Sequence, residues 1–296
     1  MKRKEFEGTG VALVTPFAES GIIDFKGLEK LVAHCIGGGV DYLVVLGTTG
    51  ESATLDAGEK AEILECVKSS NQGRKPIVLG HGGNDTARLI SGMEQIRWEG
   101  VDAILSVSPY YNKPSQAGIQ AHYEALAASA PVPVILYNVP GRTGSNLSAS
   151  TTLHLAAHSN IIGIKEASGN VEQCMAIAAG KPEDFLLISG DDMLTSPLMA
   201  VGAVGAISVL ANAYPEEFSA MVRHSHRKDF AAAAAVWKKW LELNPLLYEE
   251  GNPVGIKSVL EVLNICGRQV RQPLCNASPG LQARISAACN RFRMQD

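Results

Sequence analysis

The run Ile161-Ile-Gly-Ile-Lys-Glu-Ala-Ser168 places one lysine where an apolar stretch stops. Ile161, Ile162 and Ile164 are β-branched and read as a buried strand, so Lys165 sits near the C-terminal end with its amine directed at a cavity. Desolvation disfavours an ammonium, and a lysine held in a largely apolar site can lose its proton near neutrality and attack a carbonyl to form a Schiff base. The plain alternative is a lysine that snorkels out of the strand end into solvent. Neighbouring segments bear on the choice. Gly47-Thr-Thr-Gly-Glu-Ser52 offers the hydroxyls of Thr48 and Thr49 and turn amides to a carboxylate. Tyr110, Tyr111 and Tyr137 offer phenols able to pass protons, and Arg142 offers a guanidinium to an anion. Each has a bland reading as a turn, a packing aromatic or a surface charge. Their coincidence is what favours a site.

The elements that must position these groups recur regularly. Short apolar runs at Gly10–Val14, Tyr42–Leu46, Pro76–Leu79, Ala103–Val107, Pro133–Tyr137, Ile161–Ile164, Phe185–Ile188 and Ala203–Val209 read as strands. Between them the apolar spacing predicts helices, among them Phe25–Ile36, Ala57–Ser69, Thr86–Trp98 and Ala117–Ala128. Asp24, Asp56, Asp85, Ser115, Ser148 and Asp191 stand at plausible N-caps. Continuous apolar strands alternating with helices imply an α/β fold with a parallel sheet, and eight such units match a (β/α)8 TIM barrel, typically about 250 residues long. The residues singled out then fall at strand C-termini, where barrel enzymes keep their chemistry. A doubly wound sheet is the alternative, but Gly80-His-Gly-Gly83 lacks the dinucleotide-binding spacing and reads as strand-end turns. After about residue 213 the pattern is helical only, with Phe230–Trp240, Val254–Leu263 and Gly280–Ala288 as helices. The expected division is a barrel over 1–226 and a C-terminal helical appendage over 227–296.

Composition narrows the ligand. Net charge is −4 over 296 residues, and no basic stripe suggests nucleic acid, so a small molecule is expected. Met1-Lys-Arg-Lys4 leads into Glu5 and Glu7 and then into an apolar run broken at Thr15 and Pro16, unlike a secretory leader. No apolar run has membrane-spanning length. Six cysteines are scattered without a CxxC pair, which suits reduced thiols in a cytoplasm. The histidines show no ligand spacing and are expected to be solvated or capping; no metal site is expected.

Taken together, Gly47-Thr-Thr-Gly-Glu-Ser52, Ser108-Pro-Tyr-Tyr-Asn-Lys-Pro114, Tyr137-Asn-Val-Pro-Gly-Arg-Thr-Gly144, Gly163-Ile-Lys-Glu-Ala-Ser168 and Gly190-Asp191 resemble the dihydrodipicolinate synthase family, also called 4-hydroxy-tetrahydrodipicolinate synthase, along essentially the whole chain. The wider group of pyruvate-dependent class I aldolases shares the lysine and the Tyr-Asn-x-Pro segment. The Gly-Arg-Thr that follows favours the synthase over the N-acetylneuraminate lyase branch. The resemblance implies that Lys165 captures pyruvate as an imine and that the derived enamine attacks L-aspartate 4-semialdehyde, with no metal or organic cofactor. It implies a proton relay of Thr48, Tyr137 and Tyr111, Tyr111 coming from a neighbouring subunit of a homotetramer. It assigns Thr49, Gly190 and the backbone of Ile207 to substrate, and Arg142 to the carboxylate of the semialdehyde.

The resemblance also implies a cleft between subunits that holds lysine in inhibited members of the family. Ser52, Ala53, Asn84 and Tyr110 keep that pattern, whereas Ala57, Lys60 and Arg88 depart from it. Arg88 stands where an acidic residue holds the ligand's ammonium, a like-charge contact that costs on the order of 1 kcal/mol even near a surface. Weak or absent lysine inhibition is therefore expected.

Overall fold

Among the described residues, 3–293 in a computed structural model, eight parallel strands follow one another in chain order and close on themselves. They are β1 (Gly8–Ala12), β2 (Tyr42–Val45), β3 (Ile77–Gly80), β4 (Ala103–Val107), β5 (Val134–Asn138), β6 (Ile161–Glu166), β7 (Leu186–Ser189) and β8 (Gly205–Ser208). β8 returns to β1 through the register Gly10 opposite Ile207, which completes the expected (β/α)8 barrel. Outside it lie α1 (Phe25–Gly37), α2 (Ala57–Asn71), α3 (Thr86–Gly92), α4 (Gln116–Ser129), α5 (Pro140–Thr143), α6 (Ala149–Leu155), α7 (Val171–Gly180), α8 (Thr195–Ala200) and α9 (Pro215–His226). Four more helices follow: α10 (Phe230–Trp237), α11 (Leu243–Leu246), α12 (Val254–Val262) and α13 (Pro279–Arg293).

Two apolar layers hold each strand. Inside the barrel, Tyr42, Val44, Val78, Leu105, Ile135, Ile162, Ile188 and Ile207 pack together. Outside, Ile104, Leu136, Ile164 and Leu187 meet the helices. Strands sandwiched this way must be apolar on both faces, which is why they read as continuous hydrophobic runs. Trp240, Leu247, Ile256, Leu260 and Ile285 of the last segment share one core with Leu28, Leu43 and Phe218 of the barrel. The C-terminal helices are thus welded to the barrel by buried surface.

Side-chain capping follows the sequence at five of the six expected positions: Asp24, Asp56, Asp85, Ser115 and Ser148 each accept a backbone N–H of the first helical turn. Asp191 differs. Its carboxylate accepts from Met193 and Leu194 before α8 begins, so it shapes the turn ahead of the helix. The helix expected over 86–98 ends at Gly92 and tightens into a 3-10 turn, Met93–Gln95. Gly80, the last residue of β3, serves close approach: a Cβ there would lie 2.3 Å from the Leu46 carbonyl oxygen.

Candidate active site

The direction of Lys165 is decided by a bulge. Val134 pairs with Ile161 but Ile135 pairs with Gly163, so Ile162 is an extra residue in β6. Strict alternation would put Ile162 and Lys165 on opposite faces. The added residue shifts the phase: Ile162 points inward, Ile164 outward, and Lys165 inward again between Tyr137 and Ile188. Bulges commonly re-aim side chains in this way. Gly163 permits it, because a Cβ there would lie 2.7 Å from the Leu186 backbone oxygen.

Lys165 is 6% exposed, and its amine stands 4.6 Å from the centre of the Tyr137 ring. No hydrogen bond or ion pair to its amine is found among the described residues, so the snorkelling alternative fails and the amine is left available. Gly190 lies against its stem: a Cβ at that position would lie 3.0 Å from Lys165 Cε and 2.6 Å from Ala167 Cβ. Behind the strand, Glu166 points the other way and is locked by Asn138 Nδ2 at 3.0 Å, Gln173 Nε2 at 2.8 Å and the Ser168 N–H at 2.8 Å. That buried network fixes the ends of β5 and β6 and, with them, the lysine.

The hydroxyl turn lies at the same end of the barrel. Thr48, Thr49 and Gly50 form a 3-10 turn after β2, and Glu51 leaves it in the left-handed region at φ 52°. Thr15 Oγ1 donates to the Gly50 carbonyl at 2.7 Å, while Asn252 Nδ2 donates to Thr49 Oγ1 at 3.0 Å. With its oxygen so occupied, the Thr49 hydroxyl is left to donate elsewhere. Glu51 is pinned from below by Lys257 at 2.5 Å and by the Arg271 N–H at 3.0 Å. Arg271 also reaches Glu59 of α2, whose carboxyl that guanidinium holds down at about 2.

The remaining expected residues fall into two groups. Ile207 is buried at the end of β8, and Arg142 lies exposed on α5 just beyond β5. Tyr111 is separate from the lysine: it is 88% exposed and held at φ 73°, a backbone region costly for a large side chain. In the second group, Asn84 Nδ2 donates to the Tyr110 carbonyl at 3.2 Å, and Arg88 is exposed on α3 near by. Ser52 and Ala53 begin the 3-10 turn after Glu51.

The chain matches the dihydrodipicolinate synthetase family over residues 5–291. A 4-hydroxy-tetrahydrodipicolinate synthase of Cytophaga hutchinsonii is 51% identical over 283 residues, covering 96% of this chain and 95% of that protein. The crystal structure of the chloride-inhibited dihydrodipicolinate synthase from Acinetobacter baumannii complexed with pyruvate superimposes with a TM-score of 0.94 at 37% identity, over 97% of this chain and 99% of that one. One from Cyanidioschyzon merolae with lysine bound also gives 0.94 at 37% identity, over 98% and 99%.

The chain belongs to the dihydrodipicolinate synthetase family.

Three groups at this family site escape a sequence reading. Asn252 and Lys257 act on the threonine turn from the far end of the chain. Asp192, beside the expected Asp191, is buried and accepts the Val209 N–H at 3.2 Å and the Leu210 N–H at 2.8 Å, fixing the turn after β8. Burial pushes its carboxyl up to about 6 despite hydrogen bonds from Ser208 and Leu210 and the nearby charge of Lys165. The doubled aspartate after β7 was the available signal. Histidine expectations need one correction: His122 is buried, its Nδ1 2.8 Å from Thr86 Oγ1, and burial lowers its pKa. A groove of about 820 Å³ among Lys4, Asp41, Arg74, Lys75 and Asp102 lies where strands begin, at the end of the barrel away from the lysine.

Proposed function

We infer that this protein catalyses the 4-hydroxy-tetrahydrodipicolinate synthase reaction, condensing pyruvate with L-aspartate 4-semialdehyde on the route to diaminopimelate and lysine. One observation carries the reading: a buried amine that has no hydrogen-bond or ion-pair partner among the described residues, at the mouth of a barrel and with a phenol ring beside it. Unprotonated Lys165 attacks the ketone carbon of pyruvate, and the carbinolamine expels water to give an iminium. Loss of a methyl proton yields the enamine, whose terminal carbon bonds to the aldehyde carbon of the semialdehyde. The amino group of that substrate then adds to the iminium carbon, closing the ring and releasing Lys165. No metal or organic cofactor enters this scheme, because the iminium itself draws off the electron pair.

Tyr137, next to the amine, is read as the proton donor and acceptor, with Thr48 as its link to the turn. Thr49, Gly190 and the Ile207 backbone line the pyruvate end, and Arg142 offers its planar fork to the carboxylate of the semialdehyde. Tyr111, exposed and strained on its own subunit, is read as reaching a second copy, which makes the working unit a homo-oligomer, a tetramer of paired dimers. A cytoplasmic location suits this metabolism. For the cleft formed by Ser52, Ala53, Asn84, Arg88 and Tyr110, the cation of Arg88 supports weak or absent inhibition by lysine; inhibition at submillimolar lysine would overturn that part.

The test is borohydride reduction in the presence of pyruvate, followed by mass spectrometry of the peptide containing Lys165. A reduced pyruvyl adduct on that residue is expected, and an unmodified peptide would remove the mechanism. A coupled assay comparing aspartate semialdehyde with N-acetylneuraminate then distinguishes the synthase from a sugar-acid aldolase.

A further inference from the structure

Tyr248 belongs to neither the motifs nor the barrel, yet it reaches the mouth. It lies in the turn between α11 and α12, and its hydroxyl stands 3.5 Å from Asp192 Oδ2. The charges of Asp192, Asp191, Tyr137 and Arg142 all act on that phenol, whose pKa is raised well above its usual value chiefly by desolvation. The residue as a whole nevertheless keeps 39% of its surface exposed. Both facts fit one orientation, with the hydroxyl turned inward to a buried acid and the ring facing outward.

We propose that Tyr248 is a positioning residue for the second substrate: braced against Asp192, its hydroxyl forms the outer wall of the mouth beside Arg142 and Tyr137. The proposal rests on the reaction inferred above. Depth sorts the two substrates. Lys165 and Tyr137 are 6% and 7% exposed and form the floor, where the keto acid must be captured first. The aldehyde arrives on top of that adduct, between the floor and the half-open ring of Tyr248. It carries an ammonium as well as a carboxylate, and Arg142 suits only the carboxylate. A phenol braced on an acid can accept from an ammonium or donate to the acid, which a phenylalanine cannot. The 3.5 Å separation is at the outer edge of hydrogen bonding, a looseness that substrate binding commonly tightens.

Steady-state kinetics of Tyr248→Phe, Asp192→Asn and the double variant test this, with the pyruvate–borohydride adduct as control. Tyr248→Phe is expected to raise KM for the semialdehyde about tenfold, the size of one lost hydrogen bond to a charged group, while KM for pyruvate and the yield of adduct stay at wild-type values. The double variant should be less impaired than the product of the two single effects. An unchanged semialdehyde KM in Tyr248→Phe, or an equal rise in both KM values, overturns the positioning role. Failure of the wild-type protein to form the adduct instead overturns the reaction, and this proposal with it.

Discussion

The tripeptide Gly-Ile-Lys occurs twice in this chain, at 163–165 and at 255–257, and both lysines are buried. In each copy the glycine allows a backbone to come close, Leu186 against Gly163 and Leu246 with Leu247 against Gly255. The lysines have opposite fates. Lys257, on a helix, is 0% exposed and donates to Glu51 Oε2 and to the Gln269 carbonyl at 2.7 Å, with its amine 4.2 Å from the centre of the Phe17 ring. Lys165, on a strand, has the Tyr137 ring beside its amine and, among the described residues, no hydrogen bond or ion pair. Burial alone therefore says little about reactivity. A satisfied ion pair makes a buried lysine a structural pin, and the lack of one leaves its nitrogen free for a carbonyl.

The sharpest way to break this contrast is to remove each amine in turn. Lys165→Ala should lower turnover by about 10⁴-fold or more and abolish the reduced pyruvate adduct, while the urea midpoint stays at or above the wild-type value. Lys257→Met should do the reverse, costing about 3–5 kcal/mol in urea unfolding because the Glu51 carboxylate is left buried without its cation, and the adduct should still form on the folded protein. Loss of adduct in both variants, or of stability in neither, would erase the distinction.

A third substitution acts on the bulge that aims Lys165. Gly163→Val should cost about 1–3 kcal/mol by crowding Leu186 and should reduce adduct formation, since its readiest relief is to shift the strand. A variant that forms adduct at the wild-type rate would mean that the bulge is dispensable.

Asp192 adds a dependence on pH. Its carboxyl rises from 3.8 to about 6 in the fold, so the native state disfavours the ionised form. That cost is absent below the unfolded value near 3.8, grows between the two, and is complete above about 6. At most it is about 3 kcal/mol, less whatever hydrogen bonding an amide cannot replace. The melting temperature of Asp192→Asn minus that of wild type should accordingly be more positive at pH 7.5 than at pH 4.5. A difference that does not change with pH would mean that the acid is better solvated than its surroundings indicate.

How much of this could be read from the chain follows from the range of the forces involved. The barrel was legible because most strands read as continuous apolar runs and several helices begin with a capping residue such as Asp24, Asp56 or Ser115, both local properties. The placement of Lys165, Tyr137, Thr48, Thr49 and Arg142 at the C-terminal ends of strands was legible from the strand pattern alone. The inward aim of Lys165 was expected from its place at a strand end, but the bulge that produces it was not legible, since alternation counted from Ile162 points the lysine outward and only the pairing of β5 with β6 reveals the extra residue. Lys257 was equally opaque: the helix in which it lies reads as apolar, and its partner Glu51 is 206 residues away. Asn252, Asp192 and Tyr248 share that limit, because their significance comes from neighbours brought together only by folding.

Glu51 turns the threonine loop through a left-handed corner that is held, through Lys257 and Arg271, by the last fifth of the polypeptide. A ribosome that had released only the first 226 residues would have made Lys165, both threonines and Tyr137, yet that corner would still lack its support. The support for that corner therefore arrives late in synthesis, when the final segment docks and brings Lys257 and Arg271 to Glu51.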